Sequence, residues 1–387
     1  MAGIYLHIPF CKKACHYCDF HFSTSPVYKD QMVQALRSEI ILKKDYAGSE
    51  QIETIYFGGG TPSLLSAEEL GMLISEITEY YQVSSSAEIS LEANPDDLNP
   101  QKVKELKQTL INRFSIGIQS FFEEDLKWMN RAHSAVEAHS SIKRVQDAGF
   151  ENITADLIYG YPLLTDEKWK FNIRRLIELQ IPHISSYSMT VEPATALASF
   201  ISKGTQKPMD ENQSARQFEA LMEELEGAGF EHYEISNFAK PGRYSRHNSN
   251  YWEGVNYVGI GPSAHSFNGE SRQWNIANNM KYIQAIQSNI IPSEIEHLSI
   301  ENRINEYIMT SLRTIKGMNL NQLSHNFGEE HAEEIIQGLD PFLEKEWILN
   351  KDHIVTLTKT GKLFADHIAS ELFVDSLRIN RSHKNEK

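Results

Sequence analysis

The sequence predicts an α/β protein: six β-α units partly closed into a barrel, followed by a sheet extension and a small, mostly helical C-terminal piece. Three observations carry this. Short apolar, β-branched stretches alternate with segments of helical periodicity over roughly the first 200 of 387 residues. Such a rhythm implies parallel β-α units rather than separate sheet and helix layers. The polar residues that break the apolar pattern also fall at corresponding places, at or just past the C-terminal end of each predicted strand.

Taken in order, the first strand runs from Ile4 to Ile8 and enters a loop that holds all three cysteines, Cys11, Cys15 and Cys18, as CxxxCxxC. A helix follows from Tyr28 to Lys43, with Met32, Leu36, Ile40 and Ile41 on one face. The strand Glu53–Phe57 runs into Gly58-Gly59-Gly60-Thr61-Pro62-Ser63, and a helix from about Ser66 to Tyr80 leads to the strand Ala87–Glu92 and Asn94-Pro95. A helix after Asn99, the strand Arg113–Gln119, the helix Ala135–Ala148 and the strand Asn152–Gly160 continue the alternation. The helix Glu167–Leu179 and the strand His183–Met189 complete six strands. In a parallel barrel Cys11, the glycine loop, Glu92, Asn94, Gln119, Asp156 and Tyr187 share one rim, where such folds carry their chemistry. Singly, the glycines could form only a tight turn, Glu92 could be a solvated strand end and Asp156 a helix cap.

Three thiolates on one loop can each bind a different iron of a 4Fe-4S cube and leave the fourth iron open to chelate a small molecule. The alternative is a structural zinc site with His7, His16 or His21 as fourth ligand. An odd cysteine count confined to one loop argues against a disulfide framework and for a reducing compartment. No apolar run approaches the roughly 20 residues of a membrane span, and the N-terminus lacks a signal-peptide layout. A cytoplasmic protein is expected, with no integral membrane segment and a peripheral membrane contact left open. The formal charge of -15 disfavours nucleic acid as a partner.

The cysteine motif after the first strand, GGGTPS after the second and the six-strand succession resemble the radical S-adenosylmethionine (SAM) superfamily over about residues 3 to 200. The zinc alternative gives no reason for the glycine loop. The resemblance implies a partial (β/α)6 radical SAM barrel. It also implies a 4Fe-4S cluster on Cys11, Cys15 and Cys18 whose open iron binds the amino and carboxylate groups of SAM, and one-electron reduction that splits SAM into methionine and a 5'-deoxyadenosyl radical. Within the superfamily, Tyr5-x-His7-Ile-Pro-Phe10, Leu91-Glu-Ala-Asn-Pro95, Ser115–Phe121, Asn130-Arg131 and Asp156–Pro162 resemble the oxygen-independent coproporphyrinogen oxidase group. By that likeness Tyr5 packs near the cluster, and Gly59, Gly60 and Thr61 hold the methionine amino end. Glu92, Gln119, Arg131 and Asp156 hold the carboxylate and ribose. The residue types suit these roles, since carboxylates pair with ribose hydroxyls, arginine pairs with a carboxylate, and glycine admits close backbone approach.

Two departures separate the chain from those oxidases. Where they resemble CxxxCxxCxC, this sequence has Phe20 in place of the fourth cysteine. Further on stands Arg246-His247-Asn248-Ser249-Asn250-Tyr251-Trp252, then Tyr257–His265. The HNxxYW string resembles that of the HemW-like heme chaperones, a branch that binds heme and passes it to acceptor proteins. His247 is then the candidate heme ligand, with flat faces offered by Tyr251 and Trp252, and His265 is the other candidate. As a lone motif it reads first as a packed histidine with two core aromatics, and only the family context reverses that preference. The implied partners are heme and an unidentified heme-acceptor protein.

Residues 1–200 are thus assigned to the barrel. Residues 201–292 form its extension, with a helix at Asn212–Ala228, a strand at His232–Phe238 and the histidine motif in a polar loop. Residues 293–374 form a winged-helix-like piece. Its helices include Ile304, Ile308 and Leu312, then Leu320 and Leu323, then Ala332–Leu343, before a hairpin at Trp347–Leu357 and a helix at Lys362–Phe373. It carries no basic recognition helix and suits a lid or docking piece. The polar tail 375–387 is expected to be disordered.

Overall fold

In the computed structural model, which describes residues 1–374, the expected alternation is present throughout the first half of the chain. The strands are β1 (Ala2–Ile8), β2 (Ile52–Gly59), β3 (Val83–Ala93), β4 (Arg113–Gln119), β5 (Asn152–Tyr159) and β6 (His183–Ser188). They pair in sequence order and in parallel, within one mixed α/β sheet. Between them run α1 (Lys29–Leu42), α2 (Ala67–Tyr80), α3 (Pro100–Leu106), α4 (Glu123–Trp128), α5 (Ala135–Asp147) and α6 (Asp166–Glu178). Parallel strands covered on both faces should be apolar throughout, and β4 is buried at every position.

Local chemistry starts the helices where the sequence indicates. Ser66 with Glu69 and Ser134 with Glu137 form capping boxes at α2 and α5, and Asn99 and Thr165 cap α3 and α6. Each cap satisfies amide groups that the first helical turn leaves without partners. Because β1 to β6 are parallel, every β-α connection leaves its strand at the same end of the sheet, and those ends form the rim.

The sheet continues on both sides of the six. Asn256–Ile260 adds in parallel to β1, and the hairpin His265–Phe267/Ser271–Asn275 extends it antiparallel. Asn237–Ala239 adds antiparallel to β6. Three expectations need correction. The single strand at His232–Phe238 is two short strands, Glu231–Glu234 and Asn237–Ala239, divided by a turn at 235–236. The histidine motif is a helix, Arg246–Trp252, because its polar residues point backbone donors at a carboxylate: the Arg246 and His247 amides donate to Glu88. The helix expected at Ala332–Leu343 is two, Glu329–Gly338 and Asp340–Glu344, since Pro341 cannot continue the hydrogen-bond ladder. The tail 375–387 lies outside the described residues.

The chain divides into two compact units. The first comprises residues 1–231, 236–247 and 255–295. One end of its sheet is fastened by a buried network in which Glu39 of α1 pairs with Lys43 at 2.9 Å and receives the Gly261 amide at 2.7 Å, the Asn275 amide at 2.6 Å and the Tyr282 hydroxyl. Lys43 also donates to the Gly259 carbonyl at 2.8 Å. The second unit comprises 232–235, 248–254 and residues from 296 on, with its own core of Ile304, Ile308, Leu312, Leu323, Val355 and Ile368. Its hairpin Ile348–Lys351/Ile354–Leu357 turns through Asp352 and His353, both at positive φ, as a two-residue hairpin turn requires. Inside this unit Arg313 reaches Glu234 and lies 5.1 Å from the Trp252 ring.

Removing one member of the Glu39 network leaves an uncompensated buried charge, so Lys43→Met should cost about 3–5 kcal/mol in urea unfolding. The double variant Lys43→Met/Glu39→Leu should recover much of that loss.

Candidate functional site

The rim is assembled by the parallel pairing of β1 and β2. Register places His7 beside Gly58 and Ile8 beside Gly59, so the glycine loop leaves β2 against the strand that feeds the cysteines. The Gly60 amide donates to the Ile8 carbonyl at 2.9 Å, and a Cβ on Gly60 would lie 2.6 Å from the Phe10 carbonyl oxygen. Gly59 has φ +104°, and a Cβ there would meet the His7 ring at 2.7 Å. Glycine is required at both, once for space and once also for backbone conformation.

The cysteine loop has little regular structure and is held by its neighbours. On one side the Cys11 amide donates to the Ser23 carbonyl at 3.0 Å, and the Ser23 amide to the Pro9 carbonyl at 2.9 Å. On the other, the segment after α4 grips it: His16 Nδ1 pairs with the Trp128 carbonyl at 2.8 Å, the His16 amide donates to the Met129 carbonyl, and the Asn130 side chain donates to the Ala14 carbonyl at 2.8 Å. Asn130 sits at φ 59°, a left-handed position that asparagine tolerates better than most residues. Lys12 reaches Asp96 at 2.6 Å and also contacts Asp97, tying the loop to the end of β3.

Two thiols receive side-chain donors. The Thr61 hydroxyl points at Cys11 Sγ at 3.4 Å, and an Arg131 nitrogen lies 3.5 Å from Cys15 Sγ. Burial raises the Cys11 thiol and pushes Cys18 up to about 11. The three cysteines are free and partly exposed on one loop with donors facing two of the sulfurs, a donor set suited to a sulfur-rich cluster. Phe20, at the position of the fourth cysteine of the oxidase pattern, is 67% exposed.

The other rim residues converge as well. Glu92 accepts from the Tyr56 hydroxyl at 2.8 Å, and Asp156 from Ser115 at 3.2 Å. Burial raises both carboxyls, Glu92 to about 7 and Asp156 to about 6, with the Asp156 charge adding to the rise at Glu92. Gln119 takes φ 63° at the end of β4, and its buried Oε1 has no hydrogen-bond partner. A left-handed non-glycine residue with an unsatisfied acceptor, beside two recessed carboxyls and a glycine cradle, fits a site for a polar ligand with hydroxyl and amino groups. Tyr5 packs beside Tyr56 and His7. Its ring is 6.2 Å from Tyr56, and its hydroxyl is 3.3 Å from His7 Nδ1.

The two heme-ligand candidates are placed differently. His247 is 2% exposed inside the first unit, with Nδ1 2.8 Å from the Thr54 hydroxyl and its ring stacked 4.8 Å from Tyr56. Burial lowers its pKa to about 3. Gly3 makes the room: a Cβ there would press on Thr54 Oγ1 at 2.8 Å and on His247 at 3.4 Å. His265 is exposed, 6.0 Å from the Trp274 ring across the edge hairpin. The sequence marks Asn94 as a rim residue and Asn130 as a member of a motif, but not what their side chains meet. Their side-chain partners come from strands and loops far away in the chain.

A family model described as the radical SAM superfamily matches residues 5–176. The solved structure of coproporphyrinogen III oxidase (HemN) from Escherichia coli superposes with a TM-score of 0.83 over 96% of this chain and 90% of that one, at 22% identity, a likeness of fold. Fold, motif and rim thus define a protein of the radical SAM class. Heme chaperone HemW of Bacillus subtilis is 35% identical over 373 residues, covering 95% of this chain and 98% of its own length. Heme chaperone HemW of Lactococcus lactis is 32% identical over 96% of this chain and 97% of its own. The chain belongs to the HemW heme chaperone family.

The raised Glu92 and Asp156 set a pH dependence. A carboxyl whose folded pKa lies above its unfolded value favours the folded state while protonated, and that contribution is lost as pH rises through the folded value. The ligand-free protein should lose stability between about pH 4.5 and 7. Glu92→Gln should flatten that part of the profile in thermal melts.

Proposed function

We propose that this protein is a heme chaperone of the radical SAM class that binds heme and passes it to an acceptor protein, with a 4Fe-4S cluster on Cys11, Cys15 and Cys18 and SAM on the neighbouring rim. The observation that carries this reading is kinship with the HemW heme chaperones along nearly the whole chain, HNxxYW segment included. Phe20 in place of a fourth cysteine supports it over coproporphyrinogen oxidation, the alternative that the shared fold keeps open. We read the six parallel strands as a partial barrel and residues 293–374 as a winged-helix-like lid or docking piece. Among the described residues no helix is long and apolar enough to cross a membrane.

In this scheme the rim residues divide the SAM molecule among them. Gly59 and Gly60 expose backbone groups to the methionine amino end, with Thr61 beside them. Glu92 and Asp156 take the ribose hydroxyls, while Gln119 and Arg131 meet the carboxylate end. When bound, the cluster supplies the electron that can split the sulfonium bond of SAM. The cysteine loop, gripped from both sides, keeps the sulfurs in register with the glycine cradle. His247 or His265 would hold the heme through an imidazole nitrogen. His247 is neutral at physiological pH, as an imidazole ligand must be, but ligation there requires the Arg246–Trp252 helix to shift, whereas His265 is already exposed.

Anaerobic reconstitution with iron and sulfide should give a brown protein with about four irons per chain, lost in Cys11→Ala. One zinc per chain that survives Cys11→Ala would end the cluster reading. Anaerobic incubation with coproporphyrinogen III, SAM and a reductant should yield no catalytic turnover, and protoporphyrinogen formed at turnover would favour the oxidase. Hemin titrations of His247→Ala, His265→Ala and the double variant, followed at the Soret band, should show weakened binding in whichever single variant removes the ligand, with iron-sulfur content unchanged. Equal affinity in all three variants would remove both histidines as ligands.

A further inference from the structure

We propose that Asn94 is a positioning residue for the cluster, aiming two hydrogen-bond donors at two of the three cysteine sulfurs through a single side-chain amide. The inference rests on the cluster reading above. Asn94 Nδ2 donates to Thr61 Oγ1 at 3.1 Å, and the Thr61 hydroxyl points at Cys11 Sγ. On its other side Asn94 Oδ1 accepts from the Arg131 guanidinium, which also donates to the Gly117 carbonyl at 3.0 Å and lies 3.5 Å from Cys15 Sγ. The result is a closed circuit, Cys11 to Thr61 to Asn94 to Arg131 to Cys15, drawn from the cysteine loop, the glycine loop, the end of β3 and the segment after α4.

The chemistry of the circuit specifies an amide. A threonine hydroxyl has one proton, and a donor on one of the oxygen's two lone pairs favours the rotamer that directs that proton to sulfur, while the guanidinium needs an acceptor. Asparagine supplies both from one planar group. Aspartate has no donor for Thr61, and leucine, of similar size, has neither function. The backbone at Asn94 is also fixed. It precedes Pro95 in extended conformation, its amide donates to Ser63 Oγ at 3.3 Å, and Ser63 in turn donates to Asp97 at 2.7 Å. Cys18 lies outside this circuit.

Donors to cysteine sulfur stabilise the added negative charge of a reduced cluster and raise its reduction potential. Asn94 should therefore make the cluster easier to reduce without touching substrate. The test is an anaerobic potentiometric titration of the reconstituted full chain without SAM, in wild type, Asn94→Leu, Thr61→Val, Thr61→Ser and the Asn94→Leu/Thr61→Val double variant. Asn94→Leu should shift the midpoint to more negative values, and Thr61→Val should shift it less. Thr61→Ser, which keeps the hydroxyl, should match wild type. The double variant should go no further than Asn94→Leu alone, because in Asn94→Leu the Thr61 hydroxyl has already lost the donor that holds it toward the sulfur. An unchanged midpoint in Asn94→Leu, or strictly additive shifts, overturns the inference. If Asn94→Leu does not fold or hold a cluster, Thr61→Val against Thr61→Ser decides, and equal midpoints for those two overturn it. A wild-type chain that takes up no iron defeats the cluster reading itself, which is a different outcome from cluster-loaded variants with equal potentials.

Discussion

The close approach of the glycine loop to the end of β1 is the contact on which the rest of the site depends. Gly60 lies so near the Ile8 and Phe10 carbonyls that any side chain would force the two loops apart. Parallel pairing of β1 and β2 brings them into register, and the missing side chains let the backbones complete the approach. Both predicted cofactor elements therefore share one wall. Displacing either would move cysteines and glycines relative to each other.

The cysteine loop has little regular structure of its own, so its conformation is imposed from outside. The Ala14 carbonyl of the loop accepts from Asn130, its amides donate to the Ser23 and Met129 carbonyls, and Lys12 anchors it to the paired carboxylates after β3. Most of these partners lie at or next to other rim positions, so the loop and the polar-ligand site are stabilised together. This explains why the Asn130-Arg131 pair forms one motif. The first residue fixes the loop backbone and the second faces a sulfur.

The interior beneath the rim is unusually polar. Thr54, Glu88, Arg113, Thr154 and His183, from consecutive strands, are all buried, and His247 sits among them. Burying such groups is favourable only when they satisfy one another. The Thr54–His247 and Thr154–His183 pairs do so, and the Glu88 carboxylate meets both Arg113 and the amides that open the Arg246–Trp252 helix. The ring of His247 also lies against Tyr56, whose hydroxyl holds Glu92 at the rim. The family motif and the polar-ligand site thus meet at one tyrosine.

By itself the sequence determined the order of strands and helices in the first half, the rim, and the residue types on it, because apolar periodicity, helix caps and glycine spacing are local properties. It also pointed to the family, since the cysteine spacing and HNxxYW are strings. It did not determine which side chains meet. Asn94 looks like a strand-end residue until Thr61 and Arg131 arrive on either side of it, and His247 looks like a loop histidine until Gly3, Thr54 and Tyr56 close around it. The break of the Ala332–Leu343 helix was within reach of the sequence, through Pro341, whereas the helix at 246–252 was not. That helix is set by Glu88, a carboxylate more than 150 residues earlier in the chain. Long-range pairing of polar groups has no periodicity to read, and only the folded chain decides it.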